Sequence, residues 1–271
     1  MTAVEPGFKV GNVTLKPVQI DIKTLQADAL VQPSGTSKLG WPLQAAPWVI
    51  EADGDGSIAQ ALGFHAPFIL GDVIITPPGP RLKARYLFHA VVVDWAFEHP
   101  SKTLIIDSIV TSVAQKCISV AAALGLKSIA FTPWGTRIGA VEPAHVTALL
   151  VQAVVTALQV EAGELETVYL VSRDPKHFQW FVDRTFVFRI ILDQLRQASD
   201  AIAMLDIPDR PRENILAALQ NAQRNVLVYN QVFSGAKYQV SIEEGRGVVI
   251  GDEASVALHE EPTEMGRSEQ T

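Results

Sequence analysis

A glycine-bearing loop between a strand and a helix is the part of this sequence best suited to hold phosphate. Residues 132–140 have the sequence T-P-W-G-T-R-I-G-A, follow an apolar strand and precede a helix that opens at Pro143. Glycine permits unusual dihedrals and close approach of a ligand, and the first N–H groups of a helix have no intrahelical partner. Arg137 can pair with phosphate through two N–H groups, or it can simply fill the pocket. The pattern predicts an anion-binding loop.

Other reactive side chains show no arrangement typical of a catalytic or metal site. The single cysteine, Cys117, lies in the middle of a predicted helix on its apolar face. Ser34 and Ser37 have no sequence neighbour that would activate them as nucleophiles. Four histidines share no spacing typical of metal ligands, so we predict no catalytic residue, no metal and no cofactor. These histidines are His65, His89, His145 and His177.

The elements that must position the loop alternate between strands and helices. Short apolar or β-branched runs predict strands, and longer segments with helical spacing, several of them closed by glycine, predict helices. This alternation indicates an α/β fold in which helices cover both faces of a mostly parallel sheet. Strands are predicted at 13–20, 29–32, 73–76, 86–93, 128–131 and 167–172, and helices at 48–62, 104–124, 143–162 and 175–186.

The sequence changes character after about residue 186. Two further helices, 187–205 and 213–229, flank the Pro-containing linker 206–212, and two short strands are predicted at 237–242 and 247–250. Strands this short are not stable alone, so they must pack on the main body or pair with another copy. The two helices are also candidates for a dimerisation element. The predicted organisation is a main domain over 10–186, a helical and β-hairpin extension over 187–258, and an acidic tail of disordered composition over 259–271.

Composition and charge restrict the location and the partners of the chain. Of its 271 residues, 48% are hydrophobic and 19% are charged, which is ample apolar material for a core. The net charge is −7, much of it in the acidic C-terminal tail, so the basic surface that duplex nucleic acid requires is not expected. We expect no signal peptide, because the chain does not open on a positively charged start followed by an apolar run, and we expect no membrane span, because the apolar runs are interrupted by polar residues. With one cysteine, we expect a cytoplasmic protein without a membrane partner.

Four segments in register resemble the macro domain, a three-layer α/β/α module that binds ADP-ribose. The family pattern G-D-I-T…D-A-I-V-N-A-A-N is similar to I-D-I-K-T at 20–24 followed by D-A-L-V-Q-P-S-G at 28–35. The family's G-E-A and Y-V-I-H-T-V are similar to G-D-V at 71–73 and Y-L-F-H-A-V at 86–91. The family loop P-A-L-G-T-G-V-G-G is similar to residues 132–140. The resemblance therefore implies a macro-like α/β/α fold over most of the main domain.

The resemblance also implies a ligand site. Asp21 would accept a hydrogen bond from the adenine amine beside the backbone N–H of Ile22, and Phe178 would stack on the adenosine. Asp21 and Phe178 also fit structural roles, as a turn residue and as a core aromatic. Gln32 and Gly35 fall where relatives present two asparagines to the distal ribose. The phosphate loop completes the site with Gly135, Thr136, Arg137, Ile138 and Gly139.

Departures from the family pattern divide this site into a retained half and an altered half. The glycine run of relatives is replaced by L-G-W-P-L-Q at 39–44, which is a poorer phosphate loop. The acid of hydrolytic members is missing from A-A-P-W at 45–48, so nothing evident activates a water at the distal ribose. We therefore expect the adenosine and proximal phosphates to be held, and the distal ribose to be loosely held or missing.

The expected function is a non-catalytic macro-like module that recognises ADP-ribose or a related adenine nucleotide, as a sensor or adaptor in a bacterial multi-protein signalling system. The alternative from the enzyme class is an ADP-ribosyl or O-acetyl-ADP-ribose hydrolase with substituted catalytic residues. A third alternative is a ligand-free oligomerisation scaffold whose pocket is filled by Trp41 and Arg137. The C-terminal extension is the predicted contact for a second copy or a protein partner.

Overall fold

The computed structural model describes residues 3–4, 7–36, 47–63, 68–93, 107–135, 142–205, 208–229, 238–243 and 246–251. The chain divides into two compact units, Met1–Asn230 and Gln231–Thr271. The described part of the first unit contains one sheet with helices on both faces, and the described part of the second unit contains a β-hairpin.

The sheet of the first unit has eight strands among the described residues. They are β1 (Ala3–Val4), β2 (Phe8–Val10), β3 (Val13–Gln19), β4 (Ala29–Gly35), β5 (Val73–Thr76), β6 (Tyr86–Val93), β7 (Ser128–Phe131) and β8 (Thr167–Val171). Their order is β1-β3-β8-β7-β4-β6-β5, with β2 also paired to β3. The neighbours from β3 to β6 are parallel. Strands β1, β2 and β5 are antiparallel additions at the two edges, so the sheet is mixed.

Helices cover both faces of this sheet, and each face has its own apolar core. Alternate residues of a strand point to opposite faces, so Val31 enters the core under three of the helices, whereas Leu30 enters the core under two others and a 3₁₀ turn. The predicted three-layer α/β/α architecture is therefore confirmed. The helical elements are the 3₁₀ turn (Ile22–Thr24), α1 (Pro47–Ala52), α2 (Ser57–Gly63), α3 (Asp107–Ala123), α4 (Pro143–Val160), α5 (Pro175–Ala203) and α6 (Asp209–Tyr229).

Contrary to the expectation from the sequence, helix α4 is long and apolar enough by length and composition to cross a membrane. Ten of its residues are nevertheless buried within the protein, and Val151 and Val154 are among those that belong to the core shared with α3. Burial of this kind is typical of the core helix of a folded domain. The apolar character of α4 is thus accounted for by its packing.

The two helices predicted at 175–186 and 187–205 form one continuous helix, α5. After Pro175 at its first turn, α5 contains no further proline and no glycine, so nothing in the chain interrupts its hydrogen bonds. Buried Phe181, Phe188 and Leu192 recur at helical spacing across position 186 and join the same core. Secondary structure therefore has no break at the predicted edge of the main domain.

Several smaller differences have local causes. The helix predicted at 48–62 is divided into α1 and α2, because Gly56 has a φ of +77° and Asp53 caps the second helix through the N–H groups of Ile58 and Ala59. Helix α6 begins at Asp209, within the segment predicted as a linker. Strands β1 and β2 were not predicted because each is only two or three residues long.

The hairpin of the second unit consists of β9 (Tyr238–Glu243) and β10 (Arg246–Gly251). They pair antiparallel, from Glu243 opposite Arg246 to Tyr238 opposite Gly251. This agrees with the predicted short hairpin. The predicted acidic tail, 259–271, lies outside the described residues.

Candidate ligand site

The adjacent strands β3, β8, β7 and β4 are parallel, so their carboxyl ends lie along the same edge of the sheet. We call it the carboxyl edge. Asp21 follows β3 there, Arg173 follows β8, Trp134 follows β7 and Thr36 follows β4. Side chains from four distant parts of the sequence are thereby gathered along one line.

From the carboxyl edge the chain continues onto both faces of the sheet. After β4 it continues into α1 and α2 on one face, and after β7 it continues into α4 on the other. The same reversal separates β3, which is followed by the 3₁₀ turn, from β8, which is followed by α5. Open α/β sheets bind ligands at such reversals because the diverging connections leave a crevice outside the strand ends. The topology therefore places a candidate crevice along the carboxyl edge.

Asp21 lies at the β3 end of this crevice and caps the 3₁₀ turn. Its Oδ1 accepts the backbone N–H of Lys23 at 3.0 Å, and its side chain is 30% exposed. Its Oδ2 lies 3.9 Å from Lys23 Nζ and 3.8 Å from Arg173 Nη1, both beyond hydrogen-bond distance. Ile22 buries its side chain and, as the first residue of the turn, has a backbone N–H with no helical acceptor. Both groups can therefore meet a ligand at this point.

An ion pair fixes the charges beside Asp21. Lys23 Nζ donates to Glu51 Oε2 of α1 at 2.7 Å. This hydrogen bond raises the pKa of Lys23 and lowers the pKa of Glu51, so both remain charged near neutral pH. The two groups are solvent-exposed, and such pairs contribute little to stability. Their effect is to hold a cation next to the Asp21 carboxylate.

The first turn of α5 borders the crevice at the end of β8. Asp174 accepts the backbone N–H groups of Lys176 at 2.8 Å and His177 at 3.0 Å, and the bond from His177 lowers the pKa of Asp174. Phe178 is only 6% exposed and presents little surface to a ligand. The rings of His177 and Trp180 stack with centroids 4.8 Å apart and are less buried. Stacking of Phe178 on adenosine remains a prediction.

The loop after β7 begins with a buried aromatic residue and a glycine. Trp134 has no exposed surface, and its ring centroid lies 6.2 Å from that of Phe131. Within the part of the chain that the structure describes, its indole Nε1–H has no hydrogen-bond partner. Gly135 has a φ of +76°, which favours glycine. The rest of both predicted loops lies outside the described residues, namely Thr136, Arg137, Ile138, Gly139 and residues 39–44.

Gln32 and Gly35 lie at the β4 end of the crevice. Gln32 is fully buried, and its Nε2 lies 2.6 Å from Ser34 Oγ and 2.6 Å from His89 Nδ1 of the neighbouring strand. Gly35 ends β4 at an irregularity that pairs it with Val93. The Gln32 side chain is thus bonded within the protein, where the resemblance implied contact with the distal ribose. The predicted role of Gln32 and Gly35 in ligand binding is left open by this geometry.

Arg173 and Glu51 were not among the predicted site residues. A signal for Arg173 existed, because it follows the last predicted strand of the main domain just as Asp21 follows the first. Parallel neighbours would bring the two together, but the pairing of β3 with β8 was not predicted. Nothing local marked Glu51, because its contact depends on how α1 packs.

Comparison with known proteins shows which proteins this fold is similar to. Residues 57–150 match the family model described as Macro domain. No curated protein sequence matches the chain. A macrodomain from Oceanobacillus iheyensis with ADP has 18% identity and a TM-score of 0.58, with 72% of this chain and 99% of that chain covered.

Two further structures give the same result. The same Oceanobacillus iheyensis macrodomain with MES bound has 17% identity and a TM-score of 0.57, covering 72% of this chain and 100% of that chain. A macrodomain from Trypanosoma brucei has 19% identity and a TM-score of 0.50, covering 64% of this chain and 66% of that chain. At these identities the likeness establishes the fold. Together with the family match over residues 57–150, it shows that the chain has the macrodomain fold.

Proposed function

We propose that this macro domain binds ADP-ribose or a related adenine nucleotide along the carboxyl edge. The observation that carries the proposal is the double reversal of connections, β3 against β8 and β4 against β7, with the Asp21 carboxylate partly exposed at one end. Asp21 Oδ2 has no cation within hydrogen-bond distance among the described residues, so it can accept from the exocyclic amine of adenine. In keeping with this, the Oceanobacillus iheyensis macrodomain has been determined with ADP and, in a substituted form, with ADPR.

The roles proposed for the residues follow the line of the crevice. Asp21 and the backbone of Ile22 hold adenine at the end of β3, with Phe178 proposed to contact the adenosine. The backbone of the loop from Gly135 to Gly139 holds the phosphates after β7. Gln32, already hydrogen-bonded within the protein, leaves the distal ribose loosely held near Gly35.

We further propose that binding occurs without catalysis, as in a cytoplasmic sensor or adaptor of a bacterial multi-protein system. The reason is chemical: residues 45–48 lack the acid that would activate a water at the distal ribose. A hydrolase with substituted residues is the competing proposal. Release of free ADP-ribose from an ADP-ribosylated protein above the background rate would favour it.

Substitution of Asp21 by Asn tests the proposed adenine contact. Asparagine keeps an oxygen for the Lys23 N–H but loses the charge that strengthens the bond to the adenine amine. A hydrogen bond to a charged group contributes about 1.5–3 kcal/mol, so the affinity for ADP should fall about ten- to a hundredfold. The measurement is calorimetric titration of the full chain with ADP and with ADP-ribose.

Asp55→Asn is the matched control. The Asp55 carboxylate accepts the backbone N–H of Ser57 at 3.0 Å, two residues on, as Asp21 accepts that of Lys23. Loss of charge at a turn is therefore the same in both variants, and only Asp21 lies on the carboxyl edge. Absence of nucleotide binding by the wild-type chain would favour the scaffold, and equal losses in the two variants would remove Asp21 from the site.

A further inference from the structure

A hydrogen-bond chain of buried side chains links the adjacent strands β4, β6 and β5 near the carboxyl end of β4. Gln32 Nε2 lies 2.6 Å from His89 Nδ1 of β6, and His89 Nε2 lies 2.9 Å from Thr76 Oγ1 of β5. The Thr76 hydroxyl lies 3.0 Å from the carbonyl oxygen of Pro77. At its other end the chain reaches Ser34, whose Oγ lies 2.6 Å from Gln32 Nε2. All four side chains are buried on the α1/α2 face.

The acceptor at one end, the Pro77 carbonyl, determines the direction of every hydrogen bond in this hydrogen-bond chain. The carbonyl oxygen of Pro77 can only accept, so the Thr76 hydroxyl donates to it and must accept from His89 Nε2–H. Burial lowers the pKa of His89 to about 3, so the ring is neutral and its Nδ1 accepts. Gln32 must therefore present its amide nitrogen, which donates both to His89 and to Ser34.

This direction leaves the hydroxyl proton of Ser34 without an assigned acceptor among the described residues. Ser34 Oγ accepts from Gln32, so its own O–H is available as a donor. Among the residues that the structure describes, no acceptor for this O–H is found, although Ser34 is only 7% exposed. A buried hydroxyl proton without an acceptor is costly, and a ligand oxygen can supply the missing partner. Ser34 precedes the last residue of β4, beside the proposed crevice.

We propose that the Ser34 hydroxyl is a ligand-binding donor of the macro domain, and that Gln32 and His89 are positioning residues that direct its proton toward the bound ligand. The proposal rests on the proposed function, because it assigns Ser34 a part of the same nucleotide. Gln32 then acts on the ligand through Ser34, which accounts for a glutamine that is fully buried at the end of β4.

The position of Ser34 along the carboxyl edge indicates which part of the ligand lies within its reach. Strand β4 is three strands from β3, about 14 Å at the usual spacing of ~4.8 Å between strands. With adenine at Asp21 and the phosphates at the loop after β7, the group opposite β4 is the one attached beyond the phosphates. Ser34 therefore donates to an oxygen of that distal group, such as a hydroxyl or ring oxygen of a second ribose. ADP ends before it reaches this point.

The test compares ADP with ADP-ribose on the full chain by calorimetry. Ser34→Ala removes the donor and should lower the affinity for ADP-ribose about three- to tenfold, the effect of one neutral hydrogen bond, while the affinity for ADP stays unchanged. Ser34→Cys keeps the side-chain size with a weak donor and should show the same selective loss if the alanine variant does not fold. Ser112→Ala removes a hydroxyl that donates to Ile109 O on α3, and both affinities should stay at wild-type values.

A double-variant cycle tests the positioning role of Gln32. Gln32→Met fills the same space without a donor and should lower the affinity for ADP-ribose, but not for ADP. In the Ser34→Ala background it should cause no further loss, because the proton that Gln32 directs is already gone. A merely structural effect of Gln32 would weaken both ligands and would persist in that background.

The outcomes separate this proposal from the proposed function. If the wild-type chain binds neither nucleotide, the proposed function itself fails. If it binds both and Ser34→Ala changes both affinities equally, or neither, the nucleotide site stands and the assignment of Ser34 is overturned.

Discussion

Burial of His89 links a single residue to the pH dependence of the whole fold. Its ring is 1% exposed between Gln32 and Thr76, and removal from water lowers the pKa from 6.5 to about 3. Cys117 shows the opposite direction for the same reason, since burial raises the pKa of its thiol well above the usual range. The thiol stays protonated in the core, in agreement with its prediction as a core residue.

The first prediction concerns acid destabilisation through His89. Between pH values of about 3 and 6.5 the unfolded chain binds a proton that the folded chain does not, so stability rises with pH in this window and is level above it. His89 alone should therefore remove about 1.4 kcal/mol of unfolding free energy between about pH 7.5 and about pH 5.5. Urea unfolding of the wild-type chain and of His89→Gln at both pH values measures the difference. An identical pH dependence in the two proteins would contradict the prediction.

At the scale of elements, the turns that end α3 and α4 meet on the side of the sheet away from the carboxyl edge. Gly125 follows α3 with a φ of +60°, and Gly163 lies between α4 and β8 with a φ of +53°. A Cβ on Gly125 would meet nothing closer than 3.9 Å. A Cβ on Gly163 would lie 2.8 Å from Ala122 Cβ in the last turn of α3. The first glycine is required by its dihedrals, and the second also by close packing.

The two glycines give a prediction in which one variant is the control for the other. Gly125→Ala should destabilise the fold by about 1–2 kcal/mol, the penalty for a left-handed residue with a side chain. Gly163→Ala should cost a further 1–3 kcal/mol, roughly the penalty for overpacking. The new Cβ would lie against Ala122, whose position is fixed by the hydrogen-bonded backbone of α3. Chemical denaturation measures both. Equal losses would show that the turn at Gly163 relaxes away from α3.

At the scale of the whole molecule, α5 joins the sheet to the C-terminal part of the first unit. Phe188 and Leu192 are 4% and 7% exposed and belong to the same core as β3 and α4. Helix α6 packs in turn on α5 and α4. Residues beyond position 186 therefore contribute to the core of the first unit.

Truncation tests where this domain ends. A chain ending at residue 186 loses Phe188 and Leu192, and each buried side chain of this size contributes about 1.5–3 kcal/mol. It should unfold at a clearly lower urea concentration than a chain ending at residue 230, which should retain the nucleotide affinity of the full protein. Equal stability of the two truncated chains would instead support the predicted boundary at 186.

Local sequence signals were sufficient to predict several of the strands and helices. The predicted bounds of β5, β6 and β7 are those of the structure, since each is a short apolar run between turn-forming residues. The helix ends near Gly125 and Gly163 followed from glycine alone. The macro-like order of strands and loops followed from four short motifs in register, and the family match agrees with it.

The contacts between side chains depend on how the strands pair and how the helices pack. Arg173 lies beside Asp21 because β8 pairs with β3, and Gln32 is directed inward because His89 is its register partner on β6. Each of these contacts joins residues far apart in the chain, so no window of sequence contains both partners. The orientation of the buried Gln32 amide depends on the Pro77 carbonyl, which it does not contact. The carbonyl fixes the Thr76 hydroxyl, Thr76 fixes the His89 ring and His89 fixes Gln32, so the orientation is defined only in the folded protein.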